Sequence, residues 1–133
     1  ALRGLFAHPH PLKTLPAYEG ALRDGETVRP ATIPAERIAA PLLLLAGDSD
    51  PVWPSVAMSR AILERRKKAG VGQRDELAVY PDAGHLTLHV PNVPTTVRAG
   101  SAGGLDFGGT PAGDATAMAS AWRRILQFLD RHL

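Results

Sequence analysis

Two residues of this chain have the types and positions that an acid–base pair requires. Asp50 follows the apolar run at residues 42–45, and His85 follows a second short run at residues 77–80. If both runs are neighbouring parallel strands, the two side chains project into one crevice beyond the carboxyl ends of the sheet. An acid there can hold an imidazole in one tautomer, so that the imidazole acts as a general base. The pattern leaves two interpretations of His85 open: a catalytic base paired with Asp50, or a structural histidine in a loop.

The nucleophile that such a pair would serve has no motif in this sequence. In α/β-hydrolases the chain order is nucleophile, acid, histidine, with the nucleophile on a Gly-x-Ser-x-Gly elbow. Acid and histidine stand here in that order, but the elbow does not occur. The nearest sequence, Gly-Ser-Ala-Gly at residues 100–103, has the wrong spacing and follows rather than precedes the acid.

Two residues near Asp50 leave alternatives. Asp48 could be the acid instead, but it lies closer to the strand and is expected to hydrogen-bond the turn. Trp53 either lines a substrate pocket beside Asp50 or simply packs, and the sequence does not separate these interpretations.

The remaining histidines are weaker candidates. His8 and His10 have a spacing that metals can use, yet no third ligand accompanies them, and a proline-rich surface turn is the better interpretation. His85 and His89 have the spacing of helical metal ligands, but the residues between them do not favour a helix. We therefore predict no metal site.

Besides the two strands, two helices are expected to position the pair, one after each strand. A helix with Pro54 in its first turn should present Met58, Ala61 and Ile62 on one face and end before Gly70. The charged run at residues 64–68 is expected to be its solvated end.

The last helix has the clearest pattern. Thr110 can cap it, Pro111 suits the first helical position, and Trp122 is expected to anchor it in the core. Its apolar residues repeat at helical spacing: Ala115, Met118, Trp122, Ile125 and Leu129.

The order strand, helix, strand, long loop, helix predicts the end of an α/β fold, with parallel strands, flanking helices and an incomplete sheet. Residues 1–32 are rich in proline and show no sustained period, so we expect a connecting segment with short turns there. Residues 33–133 are expected to form the C-terminal portion of a catalytic domain.

Composition excludes several classes of protein. The chain has no cysteine, so disulfides and thiolate metal sites are excluded. Fifteen Lys and Arg against 13 Asp and Glu leave a formal charge of +2, too small to indicate a nucleic-acid partner. No apolar run approaches the ~20 residues of a membrane span, and the first residues lack the shape of a secretory signal. These features favour a cytoplasmic location.

Several short motifs, taken together in chain order, resemble one family. They are Gly-Asp-Ser-Asp-Pro-Val-Trp-Pro-Ser at 47–55, Tyr-Pro-Asp-Ala-Gly-His at 80–85, Gly-Gly-Thr-Pro at 108–111, Ala117, Ala121-Trp122 and Phe128. Over residues 33–133 this set resembles the C-terminal catalytic segment of the acyl-CoA thioesterase and bile-acid-CoA:amino acid N-acyltransferase family.

The resemblance implies an α/β-hydrolase fold in which a Ser or Cys nucleophile, an Asp and a His act on acyl-CoA thioesters. The family's acid falls on Asp50 and its base on His85. The nucleophile is expected upstream of Ala1, in a missing N-terminal part of the domain that would be this chain's partner. Acyl-CoA is the implied substrate, no cofactor is implied, and the open edge of a small sheet makes self-association a further expectation.

Two other functions stay open. A dienelactone-hydrolase-like enzyme or general carboxylesterase would share Asp50 and His85, although residues 108–122 favour the thioesterase branch. The chain could also be a non-catalytic, partner-binding fragment. An upstream Ser or Cys elbow would decide for an enzyme, and in this family Cys goes with transfer to an amine.

Overall fold

The computed structural model describes residues 12–85 and 106–133. This part of the chain contains two strands, four α-helices and one 3₁₀ turn at Ala35–Arg37. In chain order the elements are α1 (Leu15–Leu22), α2 (Gly25–Ala31), the 3₁₀ turn, β1 (Leu43–Gly47), α3 (Ser55–Lys68), β2 (Glu76–Tyr80) and α4 (Pro111–His132).

The two strands form a small parallel sheet, as the apolar runs predicted. Leu43 pairs with Glu76 at one end and Gly47 with Tyr80 at the other. Helix α3 makes the connection between the strands, and both α3 and α4 contact each strand. The α/β class, with two parallel strands packed against helices in an incomplete sheet, is confirmed. Since parallel strands end at the same edge, the loops after β1 and β2 start side by side.

Helix α4 begins as predicted, but of its predicted apolar residues only Met118 is buried. The Thr110 hydroxyl accepts the backbone N–H of Gly113, and Pro111 occupies the first turn. Trp122 is 38% exposed, so the prediction that it anchors the core is wrong. The core cluster instead consists of small side chains around one ring: Ala78, Tyr80, Ala83, Ala117 and Ala121. Alanines on α4 let the helix approach β2 closely, and this excludes the large indole from the contact.

Arg66 of α3 is the other departure from expectation. The charged run at 64–68 was predicted to be solvated, but the Arg66 side chain is 1% exposed. Its guanidinium donates to both carboxylate oxygens of Asp75, at 2.5 and 3.0 Å. It also donates to the carbonyl oxygens of Ala35, Ile38 and Ala40 at 2.6 to 3.0 Å. Arg66 therefore fixes the segment that leads into β1.

Asp75 completes this buried pair. Its Oδ1 also accepts the backbone N–H of Leu42 at 2.9 Å, just before β1. Burial alone would raise the pKa of Asp75, but the hydrogen bonds from Arg66 and Leu42, with the Arg66 charge, hold that pKa below its ordinary value. The ion pair thus joins the start of β1 to the segment just before β2.

Residues 12–32 are more regular than the sequence indicated. They contain the helices α1 and α2, where we expected a connecting segment with short turns. Both helices are short, eight and seven residues, and neither has a buried residue, which explains why no apolar period marks them. Within the described residues, no helix has the length and apolarity to cross a membrane.

Candidate active site

The loops that follow β1 and β2 are joined by hydrogen bonds. The backbone N–H of Asp48 donates to the carbonyl of Tyr80 at 3.1 Å, and that of Ser49 donates to the carbonyl of Ala83 at 3.0 Å. The Asp48 carboxylate accepts the backbone N–H of Asp82 at 2.9 Å. Asp48 therefore bonds the turn, as its position predicted, and its side chain is occupied away from His85.

Asp50 presents its carboxylate to His85. The residue is 8% exposed, and Oδ1 accepts the backbone N–H of Val52 at 2.8 Å and of Trp53 at 3.3 Å. Oδ2 lies 2.9 Å from Nδ1 of His85 and also accepts the hydroxyl of Ser55. The hydrogen bond that strand-end placement predicted between Asp50 and His85 is present.

His85 is oriented through its backbone as well as its ring. Its N–H donates to the carbonyl of Phe107 at 2.7 Å, and the two rings stack with centroids 6.1 Å apart. An ionised carboxylate can only accept, so we assign the shared proton to Nδ1. Nε2 then carries the lone pair that a general base needs, on a side chain that remains 21% exposed.

Trp53 lies against the imidazole, with its indole nitrogen 2.5 Å from Nδ1 and 3.1 Å from Nε2 of His85. Its ring also contacts Tyr18 of α1, with centroids 5.6 Å apart. The Thr14 hydroxyl donates to the Val52 carbonyl at 2.7 Å, so the segment before α1 also touches the acid loop. The domain boundary predicted at residue 33 stays a prediction, but residues before it contact this site.

The segment before α4 and the first turn of α4 both contact the loop that carries His85. Asp114, in the first turn of α4, accepts the backbone N–H of Gly84 at 2.8 Å. Gly108 has a φ of 66°, and a Cβ there would lie 2.0 Å from the Ser49 carbonyl oxygen. A Cβ on Gly84 would lie 2.1 Å from the carbonyl oxygen of Phe107. Only glycine fits at these close approaches, which gives Gly84 and Gly108 a structural reason in their respective motifs.

Sequence reasoning missed Ser55 and Asp114. The available signals were weak: Ser55 stands at the start of a predicted helix five residues after the acid, and Asp114 is an acid in a helical first turn. Neither feature indicates which loop the side chain contacts.

Other predicted features fall outside the site or outside the described residues. His8, His10, His89 and the Gly-Ser-Ala-Gly sequence at 100–103 lie outside residues 12–85 and 106–133. In those two ranges, no Ser or Thr hydroxyl is hydrogen-bonded to His85.

A cavity of about 230 Å³ lies at the other end of β2 from His85. Its lining is polar and charged: Glu76, Ser120, Arg123, Arg124, Gln127 and Arg131. Glu76 forms ion pairs with Arg124 and Arg131. Burial would raise the pKa of Glu76, but the hydrogen bonds and charges of these two arginines lower it overall. Because it lies where β2 starts, this cavity is separate from the Asp50–His85 pair.

Two comparisons with known proteins show which family this chain resembles. The family model described as "BAAT / Acyl-CoA thioester hydrolase C terminal" matches residues 17–133. The match begins before residue 33 and includes Tyr18, whose ring contacts Trp53.

One similar curated protein is the peroxisomal succinyl-coenzyme A thioesterase of Mus musculus, 28% identical over 111 residues. That alignment covers 82% of this chain and 26% of the mouse protein, so the chain spans about a quarter of that relative's length. The family match extends over most of the chain and confirms the resemblance carried by the short motifs. The chain therefore belongs to the family of C-terminal domains of BAAT and acyl-CoA thioester hydrolases.

Proposed function

We propose that this chain supplies the acid and the base of an acyl-CoA thioester hydrolase or acyltransferase. Asp50 is the acid and His85 is the general base. The observation that carries the proposal is the 2.9 Å contact between Asp50 Oδ2 and His85 Nδ1 at the carboxyl ends of two parallel strands. Family membership supports acyl-CoA as the substrate class.

The chemistry assigned to the pair is proton transfer at Nε2 of His85. Nε2 takes the proton of a Ser or Cys nucleophile, which we place in the part of the domain that precedes this chain. The nucleophile attacks the thioester carbonyl, and a tetrahedral intermediate forms. Its carbon–sulfur bond breaks, and the departing CoA sulfur receives the proton from Nε2.

The second half of the reaction returns the nucleophile to its starting state. Nε2 deprotonates a water molecule or an amine, which attacks the acyl-enzyme carbonyl. The acyl group leaves as a free acid or an amide, and the nucleophile regains its proton from His85. Asp50 stays ionised throughout, and it stabilises the imidazolium that forms in each half-reaction.

Trp53 is proposed to contact the substrate. Trp53 is 37% exposed and its ring centroid lies 5.0 Å from that of the imidazole, so a substrate bound at Nε2 would lie close to the indole. The indole N–H is a donor within 3.1 Å of Nε2, and the nucleophile's hydroxyl or thiol would take this place in the reacting complex.

The test uses the complete protein, meaning the longest natural polypeptide that contains this chain. Release of CoA thiol from acyl-CoA substrates is measured, with simple carboxylic esters in parallel. Asp50→Asn should lower kcat/KM by about 10²–10⁴-fold, since the imidazole loses its orienting carboxylate. Asp48→Asn is the matched control and should stay close to wild type. Asp48 does not contact His85, and asparagine keeps an acceptor oxygen for the backbone N–H of Asp82.

Three outcomes would count against the proposal. Preference for simple esters over CoA thioesters would favour a carboxylesterase, and no turnover of either substrate would favour a partner-binding role. Equal losses from Asp48→Asn and Asp50→Asn would contradict the assignment of Asp50 as the acid.

A cytoplasmic location and self-association stay predictions, and the word "peroxisomal" belongs to the mouse relative's name. Fluorescence microscopy and light scattering of the complete protein test them.

A further inference from the structure

Ser55 is the residue at which α3 begins, and its hydroxyl contacts the acid of the proposed pair. The Ser55 Oγ–H donates to Oδ2 of Asp50, the same oxygen that lies 2.9 Å from Nδ1 of His85. An ionised carboxylate can only accept, so the hydroxyl must be the donor.

Both oxygens of this carboxylate are therefore held by the protein. Oδ1 accepts the backbone N–H groups of Val52 and Trp53, which belong to the same loop as Asp50. These bonds fix one oxygen, but the carboxylate plane can still tilt about that anchor. The Ser55 hydroxyl, at the start of a 14-residue helix, fixes the second oxygen and sets the direction in which it faces His85.

We propose that Ser55 is a positioning residue that aims His85 through Asp50. The inference rests on the proposed function, because the imidazole must be aimed for proton transfer at Nε2. Without the hydroxyl, Oδ2 keeps His85 as its partner, but nothing in the helix holds the carboxylate in plane. Misplacement of a reacting group by about 1 Å costs on the order of 10²-fold in rate.

The chain offers a matched control a few residues earlier. Ser49 Oγ donates to Oδ1 of Asp48 at 3.1 Å, so it is also a serine hydroxyl bonded to an aspartate in the same loop. That aspartate accepts the backbone N–H of Asp82 rather than contacting His85. If both serine hydroxyls only stabilise the loop, Ser49→Ala and Ser55→Ala should have similar effects on turnover.

The first measurement is steady-state acyl-CoA hydrolysis by the complete protein. Ser55→Ala should lower kcat by about ten- to a hundredfold and leave KM unchanged, because the hydroxyl aims the base and does not touch the substrate. Ser49→Ala should leave both constants within about twofold of wild type. Ser55→Thr and Ser55→Val have the same shape and differ in the hydroxyl, so Thr should restore turnover and Val should not.

The second measurement does not depend on turnover. In protein labelled with ¹⁵N-histidine, the Nδ1–H signal of His85 is assigned by its loss in His85→Gln. The signal should move or broaden in Ser55→Ala and Ser55→Val, and it should stay in place in Ser55→Thr and Ser49→Ala. Melting curves identify any variant that fails to fold, and the Thr–Val pair then carries the comparison.

The two readouts separate the inference from the proposed function. A complete protein that hydrolyses no acyl-CoA, but whose His85 signal follows the Ser55 hydroxyl, contradicts the function and supports the positioning role. Normal kcat and an unchanged signal in both Ser55→Ala and Ser55→Val would overturn the positioning role.

Discussion

Asp50 and His85 are 35 residues apart in the chain, yet Oδ2 of one lies 2.9 Å from Nδ1 of the other. Each residue lies in the loop that follows one of two paired parallel strands. The strand pairing brings the loops together, and hydrogen bonds between the loops fix their separation. The contact between Asp50 and His85 therefore depends on the stability of the sheet and of its loops. Arg66, Asp75 and Gly108 stabilise these elements.

Arg66→Ala should destabilise the fold strongly. It leaves the Asp75 carboxylate buried without its partner and removes donors from three carbonyl oxygens, of Ala35, Ile38 and Ala40. Breaking a buried pair from one side costs about 3–5 kcal/mol. Urea denaturation of the complete protein checks this, with Lys68→Ala as the control from the same helix.

Lys68 pairs with Glu64 in solvent, with side chains 73% and 65% exposed. Its removal should change the free energy of unfolding by less than about 0.5 kcal/mol. Similar costs for the two variants would show that Arg66 is not the support described here.

Low pH should decrease the free energy of unfolding through protonation of Asp75. The folded state holds the pKa of Asp75 below its ordinary value of 3.8, because the bonds from Arg66 and Leu42 outweigh burial. The sign follows from linkage: the stabilisation is complete above the unfolded pKa and is lost as the pH falls through the lower folded pKa. Urea midpoints between about pH 6 and pH 2 measure the loss.

Asp75→Asn is the comparison for this acid dependence. It retains the shape of the side chain and an acceptor oxygen but cannot titrate, so its stability should fall less steeply below about pH 4. Asp24, Glu64 and Glu76 also have lowered pKa values, and they contribute equally to both proteins. Parallel curves for wild type and Asp75→Asn would contradict the prediction.

Gly108→Ala should disturb the histidine loop. The left-handed conformation costs a non-glycine residue about 1–2 kcal/mol, and the new Cβ would overlap the Ser49 carbonyl and the Pro51 ring. Because the adjacent Phe107 carbonyl holds the His85 backbone, acyl-CoA turnover should fall together with stability.

Gly20→Ala is the control for this substitution. Gly20 lies in α1, and a methyl group added there would meet nothing within 4 Å, so alanine should stabilise that helix by up to about 1 kcal/mol. A Gly108→Ala protein as stable and active as Gly20→Ala would refute the close approach.

Much of the frame was predictable because its signals are local. Two apolar runs indicated the strands, Thr110 and Pro111 marked the start of α4, and strand-end placement brought Asp50 to His85. Arg66 could not be placed, because its carbonyl partners and Asp75 converge only in the folded chain. Trp122 was misplaced because alanines next to it on α4 make the closer contact with the strand.

Of the site residues, only Asp50 and His85 were predictable from the sequence. The contact of Ser55 with Asp50 depends on the conformation of the loop between Asp50 and α3. The spacing of residues in the sequence does not predict that conformation. Asp114 holds Gly84 across 30 residues, again through the fold. The prediction of a catalytic role for the pair therefore rests on the geometry together with the family.

The most direct measurement is the kcat/KM for acyl-CoA hydrolysis by the complete protein, wild type against His85→Ala, with folding checked by circular dichroism. If His85 is the general base, the variant should fold normally and lose about 10²–10⁴-fold in kcat/KM. Turnover within about twofold of wild type in a folded His85→Ala protein would contradict the assignment.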